Sequence, residues 1–166
     1  RYFPDPDLLP LELSDAWVDQ LRAGLPELPQ AMRERFKRDY ALTEYDAGVL
    51  TAERELAAYF EEVARCLPAG QAKLAANWVM GDLAGRLNRE GVGITAAPVS
   101  SNALGELLRR IADGTVSGKL AKDVFDAMWT GQGSADRIIE SKGLKQISDS
   151  GELGRAITQI IEANPV

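Results

Sequence analysis

Gln71-Ala72-Lys73-Leu74-Ala75-Ala76-Asn77-Trp78-Val79-Met80-Gly81-Asp82-Leu83-Ala84-Gly85-Arg86-Leu87-Asn88-Arg89 is the stretch that decides the fold class. Leu74, Trp78, Val79, Leu83 and Leu87 fall on one broad stripe of a helix with 3.6 residues per turn, and nothing in the run alternates with the period of a strand. Gly81 and Gly85 stand four apart, a spacing that favours helix dimerisation in membranes. Asp82 and Arg86 lie inside the same stretch, so it reads as a helix packed closely in a water-soluble bundle.

Outward from this helix, start and stop signals repeat in a helical rhythm. On the N-terminal side, Ser14 is placed to cap Asp15–Ala23, with Trp17, Val18 and Leu21 on one face and Gly24 as the terminator. Pro29 suits the first turn of a second helix that ends near Tyr40. Thr43 and Thr51 each open a further segment, the second running through Ala52–Cys66 with Leu56, Tyr59, Phe60 and Val63 at helical spacing. Residues 1–13 hold Pro4, Pro6 and Pro10 and are expected to be extended. The start, Arg1-Tyr2-Phe3-Pro4-Asp5-Pro6-Asp7, has neither Met nor an apolar leader and reads as a cut through a longer protein.

On the C-terminal side, Gly91-Val92-Gly93 and Ala96-Ala97-Pro98 form the clearest break, and a domain boundary is expected there. Four shorter helices follow. Ser100 or Ser101 leads into Leu104–Ala112, Ser117 into Lys119–Trp129, and Ser134 into Ala135–Ser141. Ser148 or Asp149 leads into Glu152–Ala163, Asp149 and Glu152 having the spacing of a reciprocal capping pair. The expectation is an all-α chain of two consecutive small helical bundles, residues 14–93 and 97–166.

Composition narrows the chemistry. The 166 residues, 45% apolar and 27% charged, suit a globular chain able to bury a core. No run is long and apolar enough to span a bilayer, so no membrane role is expected. The absence of His excludes a Ser-His-Asp triad, a Cys-His pair and His-ligated zinc or haem within the segment. A single cysteine, Cys66, excludes an internal disulfide and a CxxC site; it reads as a structural thiol, in keeping with a reducing cytosol. Residues 1–70 carry 8 basic against 14 acidic groups, and residues 71–166 carry 11 of each. Any nucleic-acid contact must therefore come from a local patch.

Several motifs carry two readings. Gly114-Thr115-Val116-Ser117-Gly118-Lys119-Leu120 resembles a phosphate loop, but three residues rather than four separate the glycines and Leu120 stands where Ser or Thr should. A glycine-rich turn capped by Ser117 is the favoured reading, although a helix start with a nearby Lys still suits one backbone phosphate. Glu61-Glu62, Glu53 with Glu55, and Asp123 with Asp126 are paired carboxylates of the kind that line solvated helix faces. Arg33, Arg35, Lys37 and Arg38 form a basic cluster open to surface ion pairing or RNA contact. Trp78 and Trp129 suit either base stacking or the core. The strongest patch lies after the break. Lys119 and Lys122 share a helix face, Arg109 and Arg110 end the preceding helix, and Lys142 and Lys145 flank the turn at Gly143. Surface solubilisation and RNA binding both fit it.

Read as strings, Arg1-Tyr2-Phe3-Pro4-Asp5-Pro6-Asp7-Leu8, Ala76-Asn77-Trp78-Val79-Met80-Gly81-Asp82-Leu83, Ser117-Gly118-Lys119-Leu120-Ala121-Lys122-Asp123-Val124-Phe125 and Ile138-Ile139-Glu140-Ser141-Lys142-Gly143-Leu144-Lys145-Gln146-Ile147 resemble the B subunits of aspartyl/glutamyl-tRNA amidotransferases. The resemblance covers essentially the whole chain in the family's order. It implies the end of a catalytic cradle domain at 1–13, a helical domain at 14–93, and a YqeY-like tail domain at 97–166 that in the family continues past Asn164-Pro165. It further implies a heterotrimeric ligase. An A subunit releases ammonia from glutamine, and a small C subunit holds the pair together. The cradle uses ATP and Mg²⁺ to activate the side-chain carboxylate of Glu-tRNA(Gln) or Asp-tRNA(Asn) for amidation. The residues that would hold ATP and Mg²⁺ lie upstream in that family, so no cofactor, metal site or catalytic residue is expected in this segment. What remains is a tRNA-gripping module, with Lys119, Lys122, Lys142, Lys145, Arg109 and Arg110 as its candidate contacts. The alternative is a purely structural helical bundle that docks a partner protein.

Overall fold

The computed structural model describes residues 13–144; all but the last residue of the start expected to be extended, and the helix expected at Glu152–Ala163, lie outside them. Every regular element among the described residues is helical: α1 (Asp15–Gly24), α2 (Pro29–Tyr40), α3 (Glu44–Leu50), α4 (Arg54–Arg65), α5 (Ala72–Trp78), α6 (Ala84–Glu90), α7 (Ser101–Ala112), α8 (Gly118–Trp129) and α9 (Ala135–Ser141). The all-α expectation holds.

The caps explain most boundaries. Ser14, Ser100 and Ser117 each accept a hydrogen bond from a backbone N–H three residues on, at Trp17, Ala103 and Leu120. Pro29 occupies the first turn of α2 as expected. Thr43 and Asp46 form a full capping box at α3: the Asp46 N–H donates to Thr43 Oγ1, and the Thr43 N–H donates to Asp46 Oδ2. Thr51 departs from its expected role. It closes α3, its hydroxyl donating to Ala47 O at 2.6 Å, and α4 begins only at Arg54. A buried hydroxyl satisfies itself on the carbonyl one turn back more cheaply than it caps a helix two residues away.

The helix read at 71–89 is one rod with an interruption. Val79–Leu83 forms a π-helical turn between α5 and α6. Gly81 and Gly85 do not mediate the close packing that their spacing suggested, since a Cβ at either position would meet nothing within 4 Å. Close approach occurs instead at Gly105 of α7, where a Cβ would sit 2.6 Å from Cys66 Cβ and 2.7 Å from Cys66 Sγ.

That contact belongs to the main seam of the molecule, α4 against α7. Tyr59 of α4 donates its hydroxyl to Val99 O at 2.9 Å, and Ser101 of α7 donates to Glu62 of α4. The segment 91–98 is a loop with a single 3-10 turn at Ile94–Ala96, and Gly91 there takes the left-handed conformation that ends α6. Packing crosses this loop. One apolar cluster runs from Phe36, Phe60 and Val63 through Trp78, Val79 and Leu83 to Leu104, Leu107, Phe125 and Ile139.

Candidate nucleic-acid interface

The rod α5–α6 lies beside α8, and the π turn sets which residues meet. Trp78, Asp82, Arg86 and Glu90 are each four apart. In an uninterrupted α-helix such positions drift by about 40° per step, roughly 120° over the three steps. The extra residue of a π turn returns about 100° of that. All four therefore point at α8. Trp78 meets the Phe125 ring edge-on at 5.9 Å, Asp82 Oδ1 lies 2.9 Å from Lys122 Nζ, Arg86 Nη1 donates to Asp126 at 3.0 Å, and Glu90 accepts from Trp129 Nε1 at 2.9 Å. The Trp129 hydrogen bond foremost, and then Arg86, hold the Glu90 carboxyl below its ordinary range. Trp78 and Trp129 are both buried, which decides their reading: they are core residues and present no face for base stacking.

The basic positions fall into distinct states. Lys119, on the first turn of α8, is exposed and has no ion pair among the described residues. Lys122, one turn on, is exposed but clasped by Asp82. Arg109, in the last turn of α7, is exposed without an ion pair among the described residues. Its neighbour Arg110 is committed: its Nε and Nη2 meet both oxygens of Asp136 at 2.7 and 2.8 Å, and Nη1 reaches Asp113 at 3.4 Å. That fork, Asp136 first, raises the guanidinium above its ordinary range and ties α7 to α9. Lys142 is exposed on a shallow cleft of about 500 Å³ that it shares with Asp123, Asp126, Thr130 and Gln132. Lys145 lies outside the described residues.

The short turn between α7 and α8 brings Arg109 and Arg110, in the last turn of α7, close in sequence to Lys119 on the first turn of α8. Gly114 takes a positive φ of 77°, Asp113 accepts from Thr115 N–H at 2.9 Å, and Val116 N–H donates back to Arg110 O at 3.1 Å. Val116 is buried under the turn, so Gly114–Lys119 is a capped connection anchored by its apolar residue. Arg109 and Lys119 flank it as charges without ion pairs among the described residues. Arg137 of α9, beside the α8–α9 connection, is a further exposed cation lacking an ion pair among those residues, a position whose charge is masked in sequence by Asp136 and Glu140 around it. Its alkyl chain lies against Gly133.

The basic cluster on α2 is fully engaged elsewhere. Arg33 pairs with Glu44, Arg35 with Glu27 and Glu61, Lys37 with Glu34 and Glu44, and Arg38 with Asp39. Hydrogen bonding to Glu27, then Glu61, keeps Arg35 above its usual range. This cluster stitches the helix surface, the first of its two readings. The paired carboxylates are also occupied in part: Glu61 accepts from Arg35 and Tyr40, Glu62 from Ser101, and Asp126 from Arg86. No group of acidic and cysteine side chains among the described residues is arranged to hold a metal ion. No helix among them is long and apolar enough to cross a membrane.

Comparison with known proteins gives this geometry its context. A family model described as the GatB domain matches residues 58–166, starting within α4 and running through the loop at 91–98. The chain is 61% identical over 167 residues to the B subunit of the aspartyl/glutamyl-tRNA(Asn/Gln) amidotransferase of Bordetella pertussis, covering 99% of this chain and 34% of that one. It is 56% identical to the proteins of the same description from Thiobacillus denitrificans and Nitrosococcus oceani, with the same coverage. The chain thus spans about a third of the length of the curated relatives it matches, their C-terminal part. By the family match over most of its length, this chain belongs to the GatB-domain family.

Proposed function

We propose that this chain is the tRNA-gripping, non-catalytic C-terminal part of the B subunit of an ATP-dependent amidotransferase that converts Glu-tRNA(Gln) or Asp-tRNA(Asn) to the amide form. The observation that carries this reading is 61% identity over 99% of the chain to the C-terminal third of a protein named for that reaction. ATP and Mg²⁺ are used by the preceding part of the parent subunit, and the A and C subunits complete the enzyme in the cytosol. Residues 14–93 form the helical region and 97–166 the tail.

The surface at the start of α8 supports the RNA half of the reading. Lys119 stands on the first turn of a 12-residue helix, where backbone amides already favour a phosphate oxygen, and Arg109 flanks the same turn. Lys122 stands one turn further along α8, and Lys142, Arg137 and Lys145 are further candidate contacts. Contacts of this kind grip the backbone and read the shape of the tRNA rather than its bases. The test is a salt series of tRNA binding: affinity that falls steeply with salt supports phosphate gripping, and affinity indifferent to salt overturns it.

A further inference from the structure

Helix α1 is amphipathic, yet its apolar face is uncovered among the described residues. None of its residues is buried. Trp17 and Leu21, one turn apart, are 48% and 51% exposed, and Leu13, Leu25 and Leu28 at its flanks are more exposed still. Single exposed apolar residues are ordinary, but five large ones within 16 consecutive positions, residues 13–28, are a concentration of the kind that marks an interaction surface. A helix of 10 residues is also too short to persist on its own propensity. The Ser14 cap and Asp15 in the first turn help it, but a cap stabilises by only a small margin against the cost of nucleating a helix. The apolar face needs a cover.

What covers it follows from where α1 stands. The relatives are about three times as long, and this chain matches their C-terminal part. In a chain of their length the preceding two-thirds joins this segment a short stretch of sequence before α1. The 12 residues that precede Leu13 reach at most about 40 Å when extended. A tether that short holds its neighbour at a millimolar effective concentration, against which a second copy of the chain must compete from solution. We propose that the apolar face of α1, Trp17 and Leu21, with the exposed Leu13, Leu25 and Leu28 that flank it in sequence, is the docking surface for an apolar groove on the portion of the parent subunit that precedes this segment. The proposal rests on the amidotransferase reading given above. In it, α1 couples the tRNA-gripping bundle rigidly to the region where the acceptor end reacts.

Hydrogen–deuterium exchange tests this on the full-length subunit carrying the segment, beside the segment alone and a full-length Trp17→Ser/Leu21→Ser variant. Amides of Asp15–Gly24 should exchange at least tenfold more slowly in the full-length protein than in the segment. The double substitution should remove that protection while α7, deep in the shared core, keeps its own. Equal exchange of α1 in both proteins overturns the proposal. Protection in the isolated segment that grows with protein concentration also overturns it, since the occupant is then a second copy. Amidation of Glu-tRNA(Gln) or Asp-tRNA(Asn) by the assembled wild-type enzyme, measured in parallel, separates the two ideas. Activity without α1 protection removes the docking surface alone; α1 protection without activity upholds it and removes the functional reading.

Discussion

Replacing Gly105 by Ala probes the seam that holds the molecule together. A Cβ at this position lands 2.6 Å from Cys66 Cβ and 2.7 Å from its sulfur, with Val63 O at 3.5 Å. Cys66 Cβ is rooted in the backbone at the end of α4, so a rotamer change relieves the sulfur contact but not the carbon one, and α4 and α7 must part. Forced overpacking of a core costs about 1–3 kcal/mol, and this contact belongs at the upper end. Ala in place of Gly inside a helix returns about 1 kcal/mol, leaving a net loss of roughly 2 kcal/mol. For a chain of this size that lowers Tm by about 4–8 °C. Gly85→Ala is the matched control: also within a helix, with nothing within 4 Å of its Cβ, it should stabilise by up to about 1 kcal/mol. Thermal and urea unfolding followed by circular dichroism measure both, with an unchanged urea m-value certifying the comparison. Adding Cys66→Gly to Gly105→Ala should recover part of the loss, a coupling of about 1–2 kcal/mol in the double-mutant cycle. Equal stabilisation by Gly105→Ala and Gly85→Ala would refute the close approach of α4 and α7, and with it the single core drawn across the loop.

Three further outcomes are expected. Lys119→Ala should flatten the salt dependence of tRNA binding by about 0.7–0.9 of a unit in log K per log salt, one phosphate contact, whereas Asp82→Asn should steepen it by releasing Lys122 from its 2.9 Å partner; a slope that ignores both substitutions moves the grip elsewhere. Asp46 is held below its ordinary value of 3.8 by Lys73 first and Thr43 second, so its contribution is complete above about pH 4 and fades as the pH falls through the depressed folded value. Asp46→Ala should cost about 1 kcal/mol near neutrality through the lost capping box, and the gap from wild type should close on acidification; a gap independent of pH contradicts the assignment. Limited proteolysis should nick the loop at 91–98, where Gly91, Gly93, Thr95, Ala96 and Pro98 are exposed, yet the fragments should co-elute because α4 and α7 stay packed; fragments that separate under native conditions would establish two independent units divided there.

The one-dimensional pattern was enough for everything set by local physics. Serines at 14, 100 and 117 mark helix starts because a short hydroxyl chain reaches the orphan amides of its own first turn, an interaction complete within four residues. The stripe through Leu74, Trp78, Leu83 and Leu87 announced a buried face for the same local reason. Partnership between distant residues was beyond that reach. Lys119 and Lys122 look alike in sequence, and only the packing of α5–α6 on α8, with its π turn, places Asp82 on one and leaves the other open. Arg109 and Arg110 are adjacent, yet a fork to Asp136, 26 residues on, removes only the second from the available charge. The glycines show the same division. Spacing singled out Gly81 and Gly85, but the close helix crossing falls at Gly105, because which face of a helix meets its neighbour depends on the rest of the core. Charge and helix are written along the chain, whereas free charge, close contact and an uncovered face such as that of α1 exist only once the helices have met.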